Sequence, residues 1–295
     1  MAVFYNQATI SYNGNVTGSN IITGEIIEVL SLRNTAVTES YTGGSTIVYT
    51  ISIVNTGSED YTGLTVTDDL GSYSFSPGGE ETDSAPVTLT PLVYDEGSAD
   101  LYVNGIQQPV QTAYNGAALV FSGLTVPAEG SAVIIYTART NTFAPLGSDA
   151  EIVNTASLTG TRLPEPLSDS AEVRYDGTPD LAISKSLTPS AVSGNGEVTY
   201  TFIIQNYGSD PVTAPDTAEF RDVFDPVLSI SEVTFNGVPI QEGTGYSYCM
   251  AEGIFTSAPG QITVPSADYS QDPNTGAWSV RPGTSTLIIS GTLIT

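Results

Sequence analysis

Val48-Tyr-Thr-Ile-Ser-Ile-Val-Asn-Thr-Gly57 and Thr199-Tyr-Thr-Phe-Ile-Ile-Gln-Asn-Tyr-Gly208 are two copies of one pattern. In each, apolar and polar residues alternate, and β-branched and aromatic side chains dominate. Side chains of a strand point to opposite faces in turn, so this alternation predicts a strand with one face in a core. Both runs end on Asn-x-Gly, a pair of residues that tolerates the backbone of a tight turn. The match continues outward in the same order. Val66-Thr-Asp-Asp-Leu70 pairs with Phe220-Arg-Asp-Val-Phe224, Tyr102-Val-Asn-Gly-Ile106 with Thr234-Phe-Asn-Gly-Val238, and Leu124-Thr-Val-Pro127 with Ile262-Thr-Val-Pro265. A further strand follows each last match, at Ala132 to Ala138 and at Thr286 to Gly291. Four matches in one order predict a duplicated domain. Short strands separated by turn signals such as Asn13-Gly14, Asn104-Gly105 and Asn236-Gly237 predict an all-β chain of two tandem immunoglobulin-like sandwiches.

Composition narrows the function. The chain has 7 Lys+Arg against 32 Asp+Glu, a net charge of -25. Phosphate backbones and anionic membrane surfaces need clustered basic side chains, so neither nucleic acid nor an anionic membrane surface is expected as a partner. Charged residues are only 13% of the chain and hydrophobic residues 40%, so two cores can be filled while Thr, Ser, Asn and Gly dress the surface. There is no histidine, which removes the commonest general base and metal ligand. Cys249 stands alone, so no disulfide or cysteine zinc site forms within one chain; in Tyr246-Ser-Tyr-Cys-Met250 it reads as a small buried hydrophobe. No apolar run is long enough for a membrane helix. The start, Met-Ala-Val-Phe-Tyr-Asn-Gln, has neither the basic nor the apolar part of a signal peptide.

The two repeats differ at their ends. Repeat one continues into Ile152-Val-Asn-Thr-Ala-Ser-Leu-Thr-Gly160 and, after a polar loop, Leu167-Ser-Asp-Ser-Ala-Glu-Val-Arg-Tyr175, which read as a closing pair of strands. Repeat two stops at Gly291-Thr-Leu-Ile-Thr295 with no such pair. A surplus pair instead precedes repeat one: Val3-Phe-Tyr-Asn-Gln-Ala-Thr-Ile-Ser-Tyr12, a Gly/Asn/Ser loop, then Ser19-Asn-Ile-Ile-Thr-Gly-Glu-Ile26. Within it, Tyr5-Asn-Gln-Ala-Thr-Ile-Ser11 matches Val153-Asn-Thr-Ala-Ser-Leu-Thr159. The expected parts are therefore a donor hairpin at 1–26, a first sandwich at 27–176 and a second at 177–295 that lacks its closing strands.

An open sandwich exposes unpaired backbone groups, and a detached hairpin is unstable in water. Both defects vanish if the hairpin enters the second repeat of another copy, by β-strand addition. The apolar residues to insert are Val3, Tyr5, Ile10, Tyr12, Ile21, Ile22 and Ile26. Donor and acceptor surfaces differ, so the contact is heterologous and propagates into a homopolymer unless it closes a ring. Folding back on the same chain, or a second sandwich that is complete though shorter, are the alternatives. An anchor or tip partner leaves no mark in the sequence.

Lys185-Ser-Leu-Thr-Pro-Ser-Ala-Val192, Val198 to Asn206 and Phe220-Arg-Asp222, with Tyr49 to Gly57 and Leu64-Thr-Val-Thr-Asp-Asp69 in repeat one, resemble the conserved repeat domain of bacterial surface proteins, the family called domain of unknown function eleven. The chain is similar to clostridial proteins with two such repeats, and related repeats occur in clostridial spore-appendage proteins. The resemblance implies a structural role on the cell or spore surface, reached without a classical signal peptide.

Candidate chemistry is sparse. Lys185 is the only lysine, on the first strand of repeat two. Its candidate partners are Asn206, Asp222, or Asn6 of a donated strand, in an amide cross-link or an ion pair. The matching place in repeat one is read as Arg33, which cannot form that amide and would pair with Asp68 or Asp69, so an ion pair is favoured. Acidic runs at Ser58-Glu-Asp60, Glu80-Glu-Thr-Asp83, Asp95-Glu96 and Asp222/Asp225 lack calcium-loop spacing and read as solvated loops, with Ca²⁺ the one cofactor left open. Asn15-Val-Thr17 is a sequon that carries no weight in a bacterial chain. No nucleophile and base are paired, so no enzyme is expected. A monomeric adhesin or carbohydrate-binding module, using Tyr246, Tyr248 and Trp278, is the alternative to a filament subunit.

Overall fold

The computed structural model of the chain describes residues 2–26, 29–78 and 85–294; the side chains of Val3 and Ile26 and the whole of Ile27, Glu28, Glu80, Glu81 and Asp83 lie outside the described ones. An N-terminal arm holds β1 (Ala2–Asn6), β2 (Thr9–Tyr12), β3 (Asn15–Gly18) and β4 (Ile22–Ile26). Asn13 and Gly14 both take positive φ, 43° and 79°, which is the backbone of a tight hairpin turn. Asn15–Gly18, read from sequence as loop, is therefore the return strand of that turn.

The first body runs through β5 (Leu30–Ala36), β6 (Ser40–Tyr41), β7 (Thr46–Asn55), β8 (Tyr61–Asp68), β9 (Tyr73–Phe75), β10 (Val87–Leu89) and β11 (Leu92–Tyr94). It continues with β12 (Asp100–Val103), β13 (Ile106–Gln108), β14 (Gln111–Tyr114), β15 (Leu119–Val126), β16 (Ser131–Thr140), β17 (Glu151–Thr159) and β18 (Leu167–Tyr175). One sheet has the order β13-β12-β16-β7-β5, and the facing sheet β14-β15-β8-β17-β18-β6. The alternation in β7 does what the sequence pattern demands: Ile47, Tyr49, Ile51 and Ile53 are fully buried. The closing strands complete the same core with Ile152, Ala156, Leu158, Ala171 and Val173.

The second body holds β19 (Leu181–Thr188), β20 (Glu197–Asn206), β21 (Arg221–Val223), β22 (Val227–Phe235), β23 (Val238–Pro239), β24 (Tyr246–Cys249), β25 (Ile254–Ser257), β26 (Asp268–Gln271), β27 (Trp278–Arg281) and β28 (Gly283–Ile294). One sheet, β19-β20-β28-β22-β23, reproduces the order β5-β7-β16-β12-β13. The other, β21-β25-β24, reproduces β8-β15-β14 and ends there. Cys249 is exposed, which corrects the buried reading. In β24 the side chains of Tyr246 and Tyr248 turn inward onto the core, so strand parity sends Cys249 out.

Each Asn-x-Gly turn has a second task. Asn55 is buried, accepts from Gly57 N–H at 2.9 Å and donates to the carbonyls of Glu59 (2.8 Å) and Pro127 (2.9 Å). Asn206 repeats this with Gly208 N–H (2.9 Å), Asp210 O (2.7 Å) and Pro265 O (3.1 Å). One carboxamide thus satisfies backbone groups of two loops that no strand pairs.

The β26–β27 hairpin has no counterpart in repeat one, and it locks the bodies together. Trp278 N–H donates to Thr142 O at 2.8 Å, and Gln271 Nε2 to Tyr73 Oη at 3.2 Å. Tyr269 Oη donates to Tyr207 O at 2.7 Å, and its ring meets that of Tyr175 edge-on at 5.5 Å. At the hairpin turn Gly276 has φ +74°, and a Cβ there would lie 2.3 Å from Leu89 Cδ1, so the backbone itself packs on the first body.

Candidate assembly site

The register fixes which residues of the two bodies correspond. Leu30 pairs with Asn55 in β5–β7, and Leu181 with Asn206 in β19–β20. Leu30, Leu32, Asn34 and Ala36 therefore match Leu181, Ile183, Lys185 and Leu187. Asn34 is the counterpart of Lys185, which corrects the sequence alignment to Arg33. Arg33 is one position off, faces solvent, and makes no pair with the buried Asp68. A one-residue slip moves a side chain to the opposite face of its sheet.

The same faces meet different surroundings. In body one, Leu30 is 5% exposed and Asn34 4%, because β18 packs across β5. In body two, Leu181 is 48% exposed, Ile183 58% and Leu187 39%. Tyr200, the counterpart of the fully buried Tyr49, is only half-buried. On the opposite sheet β8 pairs with β17 through Ala156 and Asp68, whereas the matching edge of β21 pairs with no strand among the described residues. Body two thus presents a trench with an apolar wall, β19, and a free strand edge, β21. These are the edge and the face that β17 and β18 cover in body one.

A polar cluster marks the trench floor. In body one, Asp68 is buried on β8 and its Oδ2 accepts from Tyr136 Oη at 2.7 Å and Asn154 Nδ2 at 3.0 Å. Leu70 N–H donates to its Oδ1 at 2.9 Å. Burial outweighs these bonds and raises the carboxyl from its ordinary 3.8 to about 7. Asn34 Nδ2 donates to the backbone oxygen of Asn154 at 2.8 Å. In body two, Asp222 takes the place of Asp68 and Lys185 that of Asn34. Lys185 Nζ lies 2.6 Å from Asp222 Oδ2 and over the rings of Tyr200 (4.7 Å), Phe202 (5.3 Å) and Phe224 (5.5 Å). Ile289 stands where Tyr136 stands in body one, since they pair with Tyr200 and Tyr49. Asn206 is not part of the cluster: Lys185 pairs with Phe202, and Asn206 sits at the far end of β20, bound in its turn.

The arm is the complementary piece. Its β1–β4 and β2–β3 ladders join no other strand among the described residues. Tyr5, Ile10, Tyr12, Ile21 and Ile22 are 57% to 76% exposed. The other aromatic candidates are half-buried. Tyr246 stacks on Phe255 at 4.9 Å and Tyr248 meets Phe224 edge-on, so both pack against the core of body two while staying partly exposed. Trp278 belongs to the interbody hairpin. Among the described residues no acidic groups converge as a metal site, and no helix is long and apolar enough to cross a membrane.

No family model matches the chain, and comparison with curated proteins finds no match. Solved structures do resemble it. The pilus backbone RrgB from Streptococcus pneumoniae is 11% identical, over 86% of this chain and 55% of its own length, with a TM-score of 0.33. A C-terminal fragment of the major pilin GBS80 of Streptococcus agalactiae is 11% identical over 87% of this chain and 91% of that one, with a TM-score of 0.34. The D312A variant of BcpA, the major pilin subunit of Bacillus cereus, is 12% identical over 95% of this chain and 73% of that one, with a TM-score of 0.36. The chain spans about half the length of the first of these. The chain's own strand order makes it an all-β protein of tandem immunoglobulin-like sandwiches.

Proposed function

We propose that the protein is a non-enzymatic structural subunit of an extracellular bacterial filament, joined head to tail by the N-terminal arm of one copy docking in the trench of the next copy's second body. One observation carries this reading: a body whose core face is open along β19 and β21 coexists with an arm whose two ladders join no other strand among the described residues. The arm fits the vacancy by sequence and register. Asn6 pairs with Ile22, as Asn154 pairs with Ala171 in β17–β18. With Asn6 in the place of Asn154, Ile22 takes the inward place of Ala171. Each buried aliphatic side chain there is worth ~1.5–3 kcal/mol. Tyr5 takes the place of Val153, which stays 39% exposed in body one, so Tyr5 contributes to the outer face rather than to the core.

Folding back on the same chain is opposed by length. The arm enters body one at the Asn55 end of β7, while body two joins at the other end, beside Tyr41 and Tyr175. The ten residues of β7 span ~30 Å. Ile22 to Leu30 reaches ~28 Å at full extension, before the stretch from the junction to Lys185 is added. A second copy has no such limit.

Electron microscopy of the full chain beside a variant lacking residues 2–26 tests this. Filaments from the first and discrete particles from the second are expected. Discrete monomers from both would refute arm docking.

A further inference from the structure

The docking reading places three functional groups together, and this inference rests on it. In body one the side chain at position 34 already touches residue 154, and the Asn154 carboxamide donates to Asp68 Oδ2 at 3.0 Å. In body two the side chain at that same place is a lysine, with Nζ 2.6 Å from Asp222 Oδ2. Docking puts Asn6 where Asn154 lies, so its carboxamide and the lysine amine become two donors on one carboxylate. Two donors on one oxygen stand ~3–5 Å apart at ordinary hydrogen-bond lengths, and Asn6 Cγ is one bond from its donor nitrogen, so Nζ and Cγ come within reach of the ~3–3.5 Å of reacting atoms in a near-attack arrangement.

We propose that docking ends in a covalent bond between copies, an amide joining Lys185 Nζ of one copy to Asn6 Cγ of the next, with Asp222 as the proton carrier. Closing the trench shuts water out from the pair set among three aromatic rings, and the step begins with the lysine's proton passing to the Asp222 oxygen that Nζ already touches at 2.6 Å. The free amine attacks Asn6 Cγ. The protonated Asp222 hydrogen-bonds the carboxamide oxygen as charge develops there, and the proton surrendered by the lysine passes through Asp222 to the departing nitrogen. The Nζ–Cγ bond forms, the Cγ–Nδ2 bond breaks, and one ammonia leaves; nothing is oxidised or reduced. Body one shows why its own cluster stays unbonded. It has a carboxamide, Asn34, in place of the amine, and the Tyr136 hydroxyl occupies its carboxylate, whereas Ile289 leaves Asp222 to the lysine.

The test begins with full-chain filaments boiled in detergent with a reductant, so that Cys249 cannot contribute. A ladder of oligomers is expected. Proteolysis should yield one branched peptide containing Lys185 and Asn6, lighter than the sum of its parts by one ammonia. Lys185→Arg, which keeps the ion pair, and Asn6→Ala should each form filaments that dissolve wholly to monomer. Wild-type filaments that dissolve to monomer, or a branch at another residue pair, overturn the bond. A second measurement separates the bond from docking: a peptide of residues 1–26 added to the chain lacking its arm. A covalent adduct supports both; reversible binding alone leaves docking standing and overturns the bond; no binding overturns both.

Discussion

Replacing Asp68 by Asn should remove the main pH dependence of the first body's stability between pH 3.8 and about 7. Asp68 is fully buried, and burial is the largest influence on it, followed by the bonds from Tyr136, Leu70 and Asn154 that partly restore the charged form and by repulsion from Asp69 that opposes it. The folded protein thus holds the proton to about pH 7, while the unfolded chain releases it near 3.8. In that window the folded state binds more protons than the unfolded one, so stability falls as pH rises. Below it both states are protonated and there is no loss; above it the loss is complete. At ~1.4 kcal/mol for each tenfold change in proton affinity, the full loss is ~4 kcal/mol. An Asn side chain keeps a neutral donor and acceptor in the same place, so the variant should match the wild type to within ~1 kcal/mol at pH 4 and exceed it by several kcal/mol at pH 8. Urea melts at stepped pH, scored by hydrogen exchange in peptides of β7 and β17, isolate the first body. The difference between variant and wild type cancels the carboxylates they share. Identical slopes in the two proteins, or a wild type that gains on the variant as pH rises, would refute the reasoning.

Asn206→Ala should destabilise the second body by ~4 kcal/mol in urea unfolding, since it deletes four bonds worth ~1 kcal/mol each and leaves Pro265 O and Asp210 O short of a donor. Asn55→Ala should do the same to the first body alone. Tyr269→Ala removes the ring on Tyr175 and the bond to Tyr207 O, and should uncouple the bodies, seen as a larger radius of gyration in solution scattering and two separated unfolding transitions. Cys249 should react with a maleimide at the rate of a free thiol in native buffer, and Cys249→Ser should shift stability by less than ~0.5 kcal/mol.

The comparison of sequence with structure turns on particular residues. The strands of the repeats were legible because alternation is local: Ile47 to Ile53 announce their buried face whatever packs on them. The duplication was legible for the same reason. The β26–β27 hairpin was not legible as a clasp. Its residues pair with each other as any hairpin would, and only the position of Thr142 and Tyr175 on another body gives it a task. Nor was the direction of Cys249, since neighbours in a short strand differ in fate by one step of parity.

What the sequence alone determined, then, is the inventory: two sandwich bodies, a strand-forming N-terminal segment, a single lysine and no histidine. Only the tertiary structure decided which residues share a face across strands. It replaced Arg33 by Asn34 as the lysine's counterpart and buried Asp68 away from Arg33. It set Asp222 beneath Lys185 and left β19 and β21 uncovered. The physical reason is that strand periodicity is written within each segment, whereas register is a relation between segments, set by turns and core packing far apart in the chain.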